Sequence, residues 1–120
     1  MIYQGDLRIL GSDDTDYSHI TEVKGKLIIH KDITLPALVR VDGSLIIYSN
    51  AVLPSLTNIG GDCNVSNNSN LTANALTNIC GSLSIHNNTN LPALSKVGDA
   101  IFISPYFKLK WANGVIFGVK

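Results

Sequence analysis

Apolar and polar residues alternate in short bursts along this chain, and the bursts return at a nearly fixed interval. Repeats open at Gly5, Gly25, Gly43, Gly61, Gly81 and Asp99, with spacings of 20, 18, 18, 20 and 18 residues. The third position of each opening reads Leu7, Leu27, Leu45, Cys63, Leu83 and Ile101, and the fifth reads Ile9, Ile29, Ile47, Val65, Ile85 and Ile103. Two apolar columns two residues apart are the mark of a β-strand with one side buried. A Leu then recurs at Leu35, Leu53, Leu71 and Leu91, usually before Pro. A further pair recurs as Ile20/Val23, Leu38/Val41, Leu56/Ile59, Leu76/Ile79 and Leu94/Val97. Pro36, Pro54 and Pro92 oppose a long helix there, because proline lacks a backbone donor and fixes φ. Each repeat is therefore expected to be one short strand plus a compact, extended or single-turn return.

No such coil buries its own apolar side, so the coils must stack. The fold class predicted is all-β: a right-handed parallel β-solenoid of 18–20-residue coils, with a sheet down one side and a C-terminal β-hairpin cap. Handedness is not decided by these residues and is taken from general β chirality together with the family resemblance given below. The fourth coil is two residues longer, and the Leu column places the excess in an outward bulge within Asn70–Leu76. The first coil is degenerate, its Gly11-Ser-Asp-Asp-Thr-Asp-Tyr17 stretch suiting a terminal coil in contact with water. Position eight reads Ser12, Asp32, Asn50, Asn68 and Asn88, which predicts a polar ladder where the chain leaves the sheet. One domain is expected, with residues 1–104 as solenoid and 105–120 as cap. In the cap, Asn113-Gly114 between β-prone runs is a hairpin signal.

The motif Gly-x-Leu-x-Ile-x-x-Asn-x-x-Leu-Pro-x-Leu-x-x-Val/Ile, over roughly residues 5 to 104, resembles leucine-rich-repeat solenoids. It is most similar to short "LPALxxVGG" repeat proteins of bacteria and their phages, and distantly similar to receptor L domains. Its period is shorter than the usual 20–29 residues of the class, which favours a compact β-solenoid over a helix-lined horseshoe. The resemblance implies architecture and a binding role, not a chemistry.

Composition narrows the rest. The formal net charge is zero and 15% of residues are charged, so no long-range field selects nucleic acid or an anionic membrane. No apolar run approaches the ~18 residues of a membrane span. Met1–Asp6 lacks the basic start and apolar core of a signal peptide, so a cytoplasmic location is expected. Stacking puts Cys63 under Leu83 with Cys80 three residues away, which predicts two reduced thiols.

Catalysis needs a nucleophile, a base and an orienting group that converge. His30 and His86 share position six but stand three rungs apart, about 14 Å at the sheet spacing. His19 has no evident partner. Asp13-Asp14-Thr15-Asp16 lacks the ligand spacing of a calcium loop. No enzyme, metal or cofactor is expected. The outer strand face is the remaining candidate: Arg8, Ile28, Ile46, Asn64, Ser84 and Phe102 at position four, and Leu10, His30, Tyr48, Ser66, His86 and Ser104 at position six. Ile28, His30, Ile46 and Tyr48 form an apolar and aromatic patch, extended by Asn64, Ser66, Ser84 and His86, that suits a protein partner. The expected function is a non-catalytic protein-binding module. A phage origin would sharpen this to an inhibitor occluding a host defence protein. The competing readings are a small-molecule or nucleotide sponge and a purely structural oligomerising scaffold. Tyr106, Phe107, Trp111 and Phe117 give the hairpin an aromatic surface for self-association.

Overall fold

A computed structural model of the chain describes residues 1–66, 69–85, 90–103 and 110–111. Among these there is no helix, and every strand has two or three residues. All strand pairings are parallel, with each strand bonding to its counterpart one coil away. The chain is a β-solenoid of stacked coils, as the apolar columns predict.

The return path, however, is not a compact connection behind a single sheet. It contributes two further strands per regular coil, so the solenoid has three parallel sheets. An opening sheet stacks Leu7–Ile9, Leu27–Ile29, Leu45–Ile47, Cys63–Val65, Leu83–Ile85 and Ile101–Ile103. A middle sheet stacks Ile33–Thr34, Asn50–Val52, Asn70–Thr72, Asn90–Leu91 and Lys110–Trp111. A closing sheet stacks Ile2–Tyr3, Glu22–Val23, Arg40–Val41, Asn58–Ile59, Asn78–Ile79 and Lys96–Val97. The physical reason is backbone satisfaction. A buried return must pair its N–H and C=O groups, and the coils above and below supply the partners at every level.

All three sheets turn their apolar residues to a common axis. Leu27, Ile29, Leu45, Ile47 and Val65 from the opening sheet are fully buried. They meet Val23, Val41, Ile59 and Ile79 from the closing sheet, and Ala51 and Leu71 from the middle one. Leu38, Leu56, Leu76 and Leu94 fill the third corner. Pro36, Pro54 and Pro92 sit at that corner in tight turns. Leu56 N donates to Leu53 O at 3.3 Å across Pro54-Ser55, which puts Pro at the second turn position where its fixed φ is suited.

Register relocates the two extra residues of the fourth coil. Cys63 pairs with Leu45, 18 residues back, whereas Asn70 pairs with Asn50, 20 residues back. The insertion therefore lies between Val65 and Asn70, in the corner from opening to middle sheet. It is not a bulge within Asn70–Leu76. Leu76 N donates to Ala73 O at 3.2 Å in the same turn that joins Leu56 to Leu53, so Ala73 holds the expected Leu position. Leu71 is an inward middle-strand residue instead. The same shift breaks the position-eight column, because Asn70, not Asn68, pairs with Asn50. Asp32 does join neighbouring coils, its Oδ1 accepting from Asn50 N at 2.9 Å. Asn68 and Asn88 lie outside the described residues.

At the C-terminus, Lys110 and Trp111 pair in parallel with Asn90 and Leu91 and so extend the middle sheet. The remainder of the expected hairpin at 105–120, with Tyr106, Phe107 and Phe117, lies outside the described residues.

Candidate functional site

Each sheet has an outer face, and their chemistry differs. On the opening sheet the outward position runs Arg8, Ile28, Ile46, Asn64 and Ser84, aligned by direct cross-strand pairing. Ile28 and Ile46 are half-buried against each other's rungs, while Arg8 and Asn64 are exposed. Two residues further on, Leu10 is 48% exposed and Tyr48 51% exposed, and His30 is exposed between them. The rings of His30 and Tyr48 stack, with centroids 4.7 Å apart and planes within 9°. That separation is the strand spacing itself, so stacked rungs hold the rings face to face. Ser66 and Ser84 are half-buried at the polar end of the face. His86, Ser104 and the Phe102 side chain lie outside the described residues. The structure thus brings Leu10, Ile28, His30, Ile46 and Tyr48 together as one patch, with Asn64, Ser66 and Ser84 continuing it as a polar strip.

The closing sheet carries charged side chains at Glu22 and Arg40, amides on the next two rungs at Asn58 and Asn78, and an exposed Lys96 beyond them. Arg40 Nε donates to Asp42 Oδ1 at 2.7 Å, and Lys24 Nζ donates to Glu22 Oε1 at 2.9 Å and lies 3.5 Å from Asp42 Oδ2. The Glu22 bond and the Asp42 charge hold Lys24 above its ordinary pKa. Asp42 is held below the usual carboxylate range. Desolvation opposes this, but the Arg40 bond and the Lys24 and Arg40 charges outweigh it. These pairs neutralise each other at the surface and add little to stability. One rung on, Asn78 Nδ2 donates to Asn58 Oδ1 at 2.8 Å. This amide-to-amide step joins two rungs of the closing sheet and lies outside the position-eight column.

Two polar columns that the apolar pattern does not reveal secure the stack. Asp6, Ser44, Asp62 and Ser82 each accept, through a side-chain oxygen, the backbone N–H of the residue one coil on, at 2.8–3.4 Å. Thr21, Thr57, Thr77 and Ser95 donate their hydroxyls to the carbonyl of the coil before, at 3.1–3.2 Å. Both columns are visible in the sequence once coils are aligned by register. They are structural, since each of these side chains already serves the neighbouring backbone.

The acidic loop is likewise occupied by its own backbone. Asp13 Oδ1 accepts from Thr15 N and Asp16 Oδ1 from Ser18 N, both at 2.9 Å, and Tyr17 Oη donates to Asp13 Oδ2 at 2.6 Å. The Tyr17 bond, followed by those from Thr15, holds Asp13 below its usual range, and the same bond raises the Tyr17 phenol. Among the described residues no three His, Cys, Asp or Glu groups are arranged to hold a metal ion. His19 Nε2 stands 3.9 Å from Asp16 Oδ2 on an exposed edge. Both thiols are free. Cys63 is buried opposite Leu83, and burial, with the Asp62 charge adding to it, pushes its pKa up to about 12. Such a thiol is a packing residue. Cys80 is exposed.

Comparison with protein-family models, curated proteins and solved structures finds no match. The stacked coils are compatible with a repeat solenoid. Among the described residues no helix is long and apolar enough to cross a membrane.

Proposed function

We propose that the chain is a non-catalytic, leucine-rich-type repeat module that binds a protein partner through the outer face of the opening sheet. One observation carries this reading: Leu10, Ile28, His30, Ile46 and Tyr48 are contiguous, partly exposed, and unlike the salt-bridged and amide-bearing closing face. A rigid sheet presenting aliphatic and aromatic side chains, rimmed by Arg8, Asn64 and Ser84, has the anatomy of an interface core with a polar border. The regular rungs fix those side chains in advance, which reduces the ordering cost of association. Occlusion of a host protein's surface is the sharper form of the proposal. Zero net charge argues against inhibition by DNA mimicry, which needs a strongly acidic face.

The test is affinity capture with the full chain beside an Ile28→Asp/Ile46→Asp variant whose unaltered melting transition shows that it is folded. A partner held by the native chain and lost by the variant supports the reading. Equal recovery of the same partner by both places binding elsewhere and overturns it.

A further inference from the structure

Leu7–Ile9 ends the opening sheet at the first coil, and the repeat shows which of its backbone groups stand open. In each later coil the carbonyl before the strand accepts from the coil before it. Lys26 O, Ser44 O, Asp62 O and Ser82 O receive Leu7 N, Leu27 N, Leu45 N and Cys63 N at 2.8–2.9 Å. The N–H of the same residue turns the same way, as Lys26 N does to Asp6 Oδ1 at 2.8 Å. Gly5 O and Ile9 O accept from Gly25 N and His30 N, so Gly5, Leu7 and Ile9 face the second coil and Arg8 faces away. Asp6 and Arg8 therefore aim both backbone groups off the end of the stack, where no described strand receives them. The space there is open. An added Cβ at Gly5 would meet no atom within 4 Å, whereas at Gly25 it would meet Gly5 and Asp6. The residues outside the description lie on the fourth coil or beyond. Trp111, on the sixth coil, is five rungs or about 24 Å away, which takes about seven extended residues to cover and leaves 112–120 too short to lay a strand here.

We propose that this edge pairs with the same edge of a second copy, antiparallel, about a two-fold axis through Leu7. Asp6 then lies opposite Arg8 of the second copy, and Arg8 opposite Asp6 of the second copy. Since both residues point their backbone groups outward, each opposed pair exchanges both N–H···O=C bonds. Their side chains share the outer face, so a carboxylate meets a guanidinium twice. Neither Asp6 nor Arg8 has an ion-pair partner among the described residues. On the inner face Ile9 falls opposite Gly5 of the second copy, the position with open space. Charge selects this occupant over a head-to-tail one. Parallel addition of another copy's last coil would set Ala100 and Phe102 opposite Asp6 and Arg8 and leave both charges unpaired. Met1, Ile2 and Leu10, between 47% and 66% exposed, add apolar area on the same coil. An end face of roughly 24 by 19 Å is at the small end of specific interfaces, so a weak, concentration-dependent dimer is expected. The inference stands apart from the protein-binding reading. Together they give one continuous face carrying the patch twice.

The experiment is sedimentation equilibrium of the full chain from about 10 μM to about 1 mM. A shift from the 12.9 kDa monomer to a dimer and no further is expected. Asp6→Arg and Arg8→Asp each set like charges opposite one another, and each is expected to weaken dimerisation by roughly tenfold or more. Mixed in equal amounts, the two variants set unlike charges opposite again at both positions, and a heterodimer is expected to form. Asp6→Arg also removes the acceptor of Lys26 N. If it fails to fold, Arg8→Pro decides the matter, because it deletes only an outward N–H and is expected to abolish the dimer. A chain monomeric throughout, assembly beyond the dimer, dimerisation unchanged by Arg8→Asp or Arg8→Pro, or no heterodimer from two folded variants overturns the inference. None of these outcomes bears on capture by the native chain against Ile28→Asp/Ile46→Asp, so the two readings fail separately.

Discussion

At Gly43 an added Cβ would lie 2.7 Å from the backbone C and O of Gly25, one coil before it. The same approach recurs at Gly61, 2.9 Å from Gly43 C. These glycines therefore stack directly on one another, and Gly43 N donates to Gly25 O at 2.9 Å within the column. The clash would be with backbone, which yields less easily than the end of a side chain. Gly43→Ala is expected to lower unfolding free energy by about 1–3 kcal/mol, read as a drop in the urea midpoint. A second residue-scale expectation concerns the Tyr17–Asp13 bond. Asp13 has a depressed folded pKa, so its contribution is present above about pH 4 and is lost as pH falls through the folded value. Tyr17 has a raised one, so its contribution holds below about pH 10 and is lost as pH rises through the raised value. Tyr17→Phe should flatten both limbs in a plot of melting temperature against pH. A variant with unchanged limbs would show that the bond does not form in solution.

At the scale of elements, the opening strands were legible because three consecutive positions alternate in burial and the pattern recurs in coil after coil. The middle and closing strands were not. Asn58–Ile59 has one inward residue, too few for alternation to be seen against a turn. Leu71 misled for a definite reason: it is buried and resembles Leu53 in kind, while the residue at the Leu53 turn position is the small Ala73. Burial alone does not separate the two, but hydrogen-bond register does. The distinction has a consequence. Deleting Asn67 and Asn68 shortens the longer corner to the length of its neighbour and leaves all three sheets in register, so a near-native thermal transition is expected. Deleting Ala73 and Asn74 removes a buried residue and its turn, and a loss of at least about 2 kcal/mol is expected. The reverse ranking would restore the bulge to Asn70–Leu76. The candidate site was legible to a similar degree. Side-chain parity along a strand assigned Ile28, Ile46 and Tyr48 to one outer face, but only the rung spacing reveals that His30 and Tyr48 share a stack.

For the whole molecule, stacking produces an elongated body of 37 × 24 × 19 Å with three long faces, of which the opening and closing ones differ in character. On the closing face Glu22, Lys24, Arg40 and Asp42 pair in charge, Asn58 and Asn78 share an amide-to-amide hydrogen bond and Lys96 is exposed, whereas the opening face carries the Ile, His and Tyr patch. Under the proposed reading the face is the unit of function, and it can be tested face by face. The most direct measurement is photo-crosslinking in lysate, with a benzophenone amino acid placed singly at position 48 on the opening face, 52 on the middle face or 58 on the closing face. The account predicts a discrete protein adduct from position 48 and none from 52 or 58. An adduct from 52 or 58 with none from 48 would contradict it.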